Sequence, residues 1–519
     1  MIRTIAKREF LSNLMSYKFS VGMALCLILL PLGTYVSTKS YQRRLERYEI
    51  DRNAHQRELT KLHVYSALVP QVDRKPPVLS IIAEGLEEKV ASTVKIDPHQ
   101  IPYLKGKSGV ALDRNRYTQA FPSLDPVWLL AIILSLVALL FGHDTVTGER
   151  ELGTLRLTLS NPLPRHQVLL GKYLGGIGSL FIPLLTGLLA ALVVMNLSAA
   201  VSLSAPDWLA ILIIFFLSLV YLSAFFLLGM TVSSLTRRSS TALIILLALW
   251  VVLTELLPNA SIFVAKNMIP LPSMEKMRAE RKRIEEQKDK EESKIWQAVQ
   301  QRALKGKLQV LQSKNDSNER GQIFRFMSPA AAEFLKGTFK DIEPIELKYA
   351  DKIARQEQSY VRQLERQRRL ADLLAAPSLA RPFSLLVCAL AGTDVEAFKA
   401  FVGRAGQYRL EILAFIKAQL ASDPYRFFSD DPVEEVQKDW PRAVKEGRIS
   451  RAELIEKMKF ADSDPRRLLD LSGMPRFSPP QEGVLERLSR RWGQLIILLI
   501  SNVSLFLLAF SFFLRYDPR

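Results

Sequence analysis

Apolar and polar positions are segregated along this chain into long alternating stretches. Six apolar runs, 19–37, 126–142, 173–195, 208–232, 240–257 and 493–514, approach the ~18 residues needed to cross a hydrocarbon core about 30 Å thick. The second and fifth are at the short end. Charge collects between the runs, above all in 38–125 and 258–492. The short links set the orientation, because long segments translocate largely regardless of charge. Arg3, Lys7, Arg8 and Lys18 precede the first run, and Arg150, Arg156 and Arg165 separate the second from the third. Arg237-Arg238 separate the fourth from the fifth, Arg515 and Arg519 follow the last, and the link 196–207 has no Lys or Arg. This bias predicts both termini in the cytoplasm, with 38–125 and 258–492 outside. The fold class is then mainly α: a polytopic membrane protein with six transmembrane helices and a large, mostly helical extracytoplasmic domain.

The first run follows a basic segment, is long for a signal peptide and has no A-x-A site after it, so it reads as an uncleaved span. Within 1–18, Ile2, Ala6, Phe10 and Leu14 form one stripe, which predicts an amphipathic cytoplasmic helix in the headgroup plane; a plain basic leader is the alternative. Segment 38–125 opens with a polar helical pattern from Tyr41 to His63 and becomes proline-rich. In 258–492, two charged helices, 274–312 and about 344–375, are expected to pair as an antiparallel stalk. Asn315-Asp316-Ser317-Asn318 and Gly321 mark the break between them. Further helices are predicted at 394–421, with Phe398, Phe401, Leu410 and Phe415 on its apolar face, and at 450–459. A last helix should run from Gly483 through Leu485 and Trp492 straight into the final span. A soluble piece, 262–488, is expected to fold alone.

The net charge of +18 comes without an RNA-binding or zinc-finger signature, so the bilayer is the expected partner and nucleic acid is not. Cys26 and Cys388 should not meet, and Cys388 reads as a buried small residue. His55, His63, His99, His143 and His166 have no ligand spacing, so no metal site is expected. Gly106-Lys107-Ser108 mimics the end of a phosphate-binding loop, but Ile101 stands where its first glycine is needed. No cofactor is expected to bind directly, no catalytic residue is expected, and ATP hydrolysis would come from a separate subunit. Within the spans, Glu255 reads as a headgroup-level carboxylate, and Thr186, Asn196, Tyr221 and Thr254 as packing hydrogen-bonders. Gly175, Gly176 and Gly178 read as a close helix contact.

The polar stretch 142–172 carries the candidate chemistry. Glu149-Arg150-Glu151 sit on a short helix, Gly153-Thr154 cap it, and Ser160, Pro162, Arg165 and Gly171-Lys172 follow. Acidic and basic groups on one exposed turn suit charge-assisted contacts with a soluble partner. This order, between these two spans, resembles the cytoplasmic loop of ABC-2-type transporter permeases. The two large insertions resemble a bacterial subgroup with a large extracytoplasmic domain before the last span. The resemblance implies an inner-membrane permease subunit of an ATP-driven transporter, an exporter by expectation, paired as a homodimer or with a paralogous permease. ATP and Mg would sit on the partner ABC ATPase. Glu149, Arg150, Glu151, Gly153, Thr154 and Arg165 are the implied ATPase-coupling residues. The alternative is a mechanical subunit that transmits ATPase motion to an extracytoplasmic partner and moves no substrate.

Overall fold

The computed structural model describes residues 2–87, 92–98, 104–107, 125–155, 164–305, 310–315 and 322–515. The protein is mainly helical. Among the described residues six helices are long and apolar enough to cross a membrane: Tyr17–Leu59, Pro126–Glu151, Arg165–Asn196, Ala205–Leu235, Ser239–Met268 and Trp492–Leu514, spans one to six. Several outrun the hydropathy signal. Span one has 43 residues and is therefore about 64 Å long, so its second half stands clear of a ~30 Å core. The polar pattern from Tyr41 is that continuation. Span three begins at Arg165 rather than 173.

The leading helix, Ile2–Leu14, lies on protein. A Cβ at Gly175 of span three would stand 2.7 Å from the Ala6 carbonyl oxygen, and the Phe10 ring faces Gly178. Its stripe residues Ile2, Ala6, Phe10 and Leu14 are half-buried, while Arg3, Lys7 and Arg8 are exposed. Spans two and four cross as closely. A Cβ at Gly142 would meet the Phe226 carbonyl oxygen at 2.5 Å.

On the opposite face of the bundle the two polar segments build one body. β1 (Gln71–Asp73), β2 (Thr93–Ile96) and β3 (Leu104–Lys107) form an antiparallel sheet in that order. Gly106 and Lys107 are strand residues there, paired with Val94 and Thr93. The core beside this sheet draws on both segments: Leu62, Leu68, Val72 and Ile96 pack with Phe401, Ile412 and Ile416 of the helix Val395–Ser422. Leu410 of that helix is exposed instead. Behind this core lies a buried charge cluster. Arg325 Nε donates to Asp430 at 2.8 Å, Arg467 reaches Asp430, Asp431 and Glu435, and His63 Nδ1 is 3.1 Å from Asp430.

The stalk pairs as expected, with different limits. Its first helix is Met274–Lys305 and its second Pro329–Leu374, which starts well before 344 and runs through Pro344. Between them β4 (Val310–Asn315) and β5 (Gln322–Met327) form an antiparallel hairpin; the expected break at Asp316–Gly321 lies outside the described residues. Ile284 packs on Tyr349, Ala350 and Ile353, and Glu291 accepts from Lys348 and the Tyr349 hydroxyl at 2.9 Å.

One element departs from the sequence reading. Ala380–Ala391 is an apolar helix, too short to span a membrane and of the length that suits a buried or re-entrant segment. It enters the bundle. Phe383 stacks on Tyr221 with ring centroids 4.4 Å apart and planes 15° apart. Tyr221 stands near the middle of the 31-residue span four and donates to the Ala131 carbonyl of span two at 2.8 Å. Leu379, at φ 60°, makes the sharp reversal into this helix. Cys388 lies on it, partly exposed. The last helix is also broken: Val484–Ser489 ends before span six starts at Trp492. Arg491 between them turns inward and donates to Asp394 at 3.0 Å, so the chain cannot run straight through.

Candidate coupling site

The face of the bundle opposite the large domain holds the candidate residues. Span two stays helical to Gly142, turns, and resumes as the short helix Thr147–Glu151. Ser233 near the end of span four receives this turn. Its hydroxyl oxygen accepts from the Val146 and Thr147 amides at 3.1 and 3.0 Å. Two otherwise orphaned helix-start donors are thereby satisfied.

Each charged side chain of the short helix then reaches a different element. Glu149 Oε1 is 2.9 Å from Lys172 Nζ in span three. Arg150 Nη1 donates to the Thr236 carbonyl at 3.1 Å. Glu151 accepts from the Ser239 amide at 2.9 Å and its hydroxyl at 3.0 Å, which caps the start of span five. The Thr154 hydroxyl donates to the Glu149 carbonyl at 3.3 Å. Gly153 closes the helix at φ +71° with nothing within contact distance of a Cβ there. Arg165, at the start of span three, donates to the Leu514 carbonyl of span six at 2.7 Å.

Lys172 is the centre of this junction, and it is 2% exposed. Its ammonium donates to the Thr145 carbonyl at 3.0 Å and to Glu9 of the leading helix at 3.4 Å, besides Glu149. Burial, the larger effect, lifts the Glu9 carboxyl above its usual value while Lys172 pulls it down. Lys18 pairs with Asp144 nearby. The sequence marks Lys172 only as the last polar position before the third apolar run.

The six candidate residues therefore share one junction, with Arg165 at its edge, but their charges point largely into the subunit. What the short helix offers outward is Glu151, Leu152 and Gly153, with Leu152 79% exposed. Exposed Arg237 and Arg238 stand beside it on the link between spans four and five. Among the described residues no group of His, Cys, Asp and Glu could hold a metal ion.

Comparison with known proteins gives two kinds of match. Residues 3–332, more than half of the chain, match the family described as ABC-2 family transporter protein. A probable ABC transporter permease protein NosY of Pseudomonas aeruginosa is 51% identical over 47 residues, 9% of this chain and 17% of the relative. Its namesake in Stutzerimonas stutzeri is 41% identical over 81 residues, 15% of this chain and 29% of the relative. The chain thus covers well under two thirds of either relative's length. With the leading helix, the short helix after span two and five of the six spans inside the matched residues 3–332, the chain belongs to the ABC-2 transporter family and is a membrane permease subunit.

Proposed function

We propose that this permease couples a separate ABC ATPase to substrate export across a bacterial inner membrane. Its termini, the 143–172 loop and Arg237-Arg238 face the cytoplasm. ATP and Mg belong to the ATPase, and two copies of this chain, or this chain and a paralogue, complete the transporter. The observation that carries the reading is the Lys172 junction. The short helix is bonded to spans three and five and to the end of span four, and through Lys172 to the leading helix, so a push on its outer turn is shared among them. In this reading Glu149, Arg150 and Glu151 hold the coupling helix in place, Gly153 and Thr154 shape its exposed end, and Arg165 ties in span six. The docking surface is Glu151, Leu152 and Gly153.

Two measurements test this. In a chain lacking Cys26 and Cys388, single cysteines at Thr60, Ser293 and Ser450 should react with an impermeant maleimide from outside, and one at Leu152 or Arg237 should not. Outside labelling at Leu152 would overturn the orientation. Leu152→Glu should leave the permease folded but abolish co-purification of its ATPase; retained ATPase would refute the docking surface. The mechanical alternative is favoured by one observation, the helix Ala380–Ala391 filling the middle of the bundle. ATP-driven flux in reconstituted vesicles supports export, and ATP hydrolysis without flux supports the mechanical role.

A further inference from the structure

From a cavity of about 510 Å³ we infer a binding site for the phosphate headgroup of an anionic phospholipid. It lies where the end of the second stalk helix, the inserted helix and the start of span six meet. Arg368, Arg369, Arg490 and Arg491 line one side. Acids hold only part of each guanidinium described here. Arg368 Nη2 donates to Glu396 at 2.9 Å, Arg491 Nη2 to Asp394 at 3.0 Å, and Arg490 pairs with Glu482. Asp372, also on the wall, is taken by Arg381 at 2.9 Å. Arg369 lies exposed at the rim. Arg491 is 7% exposed, and its Nε is shut off from solvent with no hydrogen-bond partner; Arg368 Nε is in the same condition. Two buried N–H groups without acceptors are costly. A phosphate in the cavity would accept from the guanidinium N–H groups of the lining arginines that face it, in the charge-assisted geometry that guanidinium groups favour.

The other side of the cavity is apolar: Leu373, Leu385 and Ile497. Trp492 is 55% exposed, and Ile496, Leu499 and Ile500 beyond it are exposed on span six. Aromatic side chains mark the headgroup level and bare aliphatic ones the acyl region. The arginines therefore stand at headgroup depth and the apolar wall at acyl depth, which matches a lipid better than a free ion. The site rests on the membrane reading above, and the orientation proposed there makes the leaflet the outer one. It is independent of ATPase docking, so either can fail without the other.

The full-length chain, purified in detergent and supplied with phosphatidylglycerol or phosphatidylcholine, is examined by native mass spectrometry. The wild type should retain phosphatidylglycerol preferentially. Removing a basic contact at a membrane surface weakens binding about fivefold, so Arg369→Gln/Arg490→Gln at the rim should erase the preference. Leu385→Trp, which fills the apolar side and touches no charge, should lower retention with unchanged thermal unfolding. Equal retention of both lipids by the wild type, or of phosphatidylglycerol by all three proteins, overturns the site. Stabilisation of the wild type by inorganic phosphate alone, without lipid preference, assigns the cavity to a soluble anion and overturns the lipid.

Discussion

A single cation does most to define the terminal face. Lys172 is buried against Glu9 and Glu149, and removing one member of a buried ion pair typically costs about 3–5 kcal/mol because the remaining charge is stranded. Lys172→Ala should therefore lower the melting temperature of the purified permease sharply. Lys172→Met combined with Glu149→Gln should recover much of that loss; a double variant as unstable as the single one would show that the pair does not hold the junction. Little of this was legible in the sequence. Glu149 through Thr154 could be picked out because they are contiguous and polar between apolar runs. Glu9 and Lys172 are 163 positions apart, and hydropathy scores Lys172 as the end of a loop when its partners let it sit inside a helix. Asp430 was equally invisible. Burial works to raise its pKa, but hydrogen bonds from His63 and Arg325 prevail and hold it at about 2. Its stabilising effect is present above the ordinary value near 3.8 and is lost as pH falls toward 2.

Among the elements, the inserted helix and the stalk carry their own predictions. An offset aromatic pair is worth about 1 kcal/mol beyond its area, so Phe383→Ala should loosen Ala380–Ala391. Thiol labelling of Cys388 should then speed up by about fivefold; an unchanged rate would mean that other contacts seat the helix. In the stalk, burial first and the neighbouring Glu292 second push the Glu346 carboxyl up to about 7. Its folded value lies above the ordinary one of 4.5, so stalk pairing is firmest below 4.5 and weakens as pH rises through 7. Amide protection over 274–305, taken relative to the intrinsic exchange rate at each pH, should be lower at pH 8 than at pH 5, and Glu346→Gln should remove that difference. Element limits were less legible than element existence. Both stalk helices announce themselves by charge and periodicity. The hairpin strands have six residues each, too few for a clear alternation, and their ladder pairs residues of two separate runs. The inserted helix escaped because its apolar run is short and lies within a polar segment.

At the scale of the molecule, the large body beyond the bundle is one unit made from both polar segments. The expectation that 262–488 folds alone does not fit this packing. Such a piece would lack Leu62, Val64, Leu68, Val72, Val94 and Ile96, which are buried against Ile323, Phe401, Tyr408 and Ile412. Circular dichroism of the piece should show helix without a cooperative melt, and a sharp two-state melt would contradict the shared core. The body meets the membrane bundle at the second half of span one, at the stalk base beside span five, at the inserted helix and at the junction before span six. Footings on several spans tie it to the bundle, so a change in the spacing of those spans is passed to it. The 46-residue second stalk helix is about 69 Å long, and a tilt of roughly 5° at its foot would carry its far end about 6 Å. A displacement too small to open a pore for substrate is, at that distance, long enough to engage or release another protein.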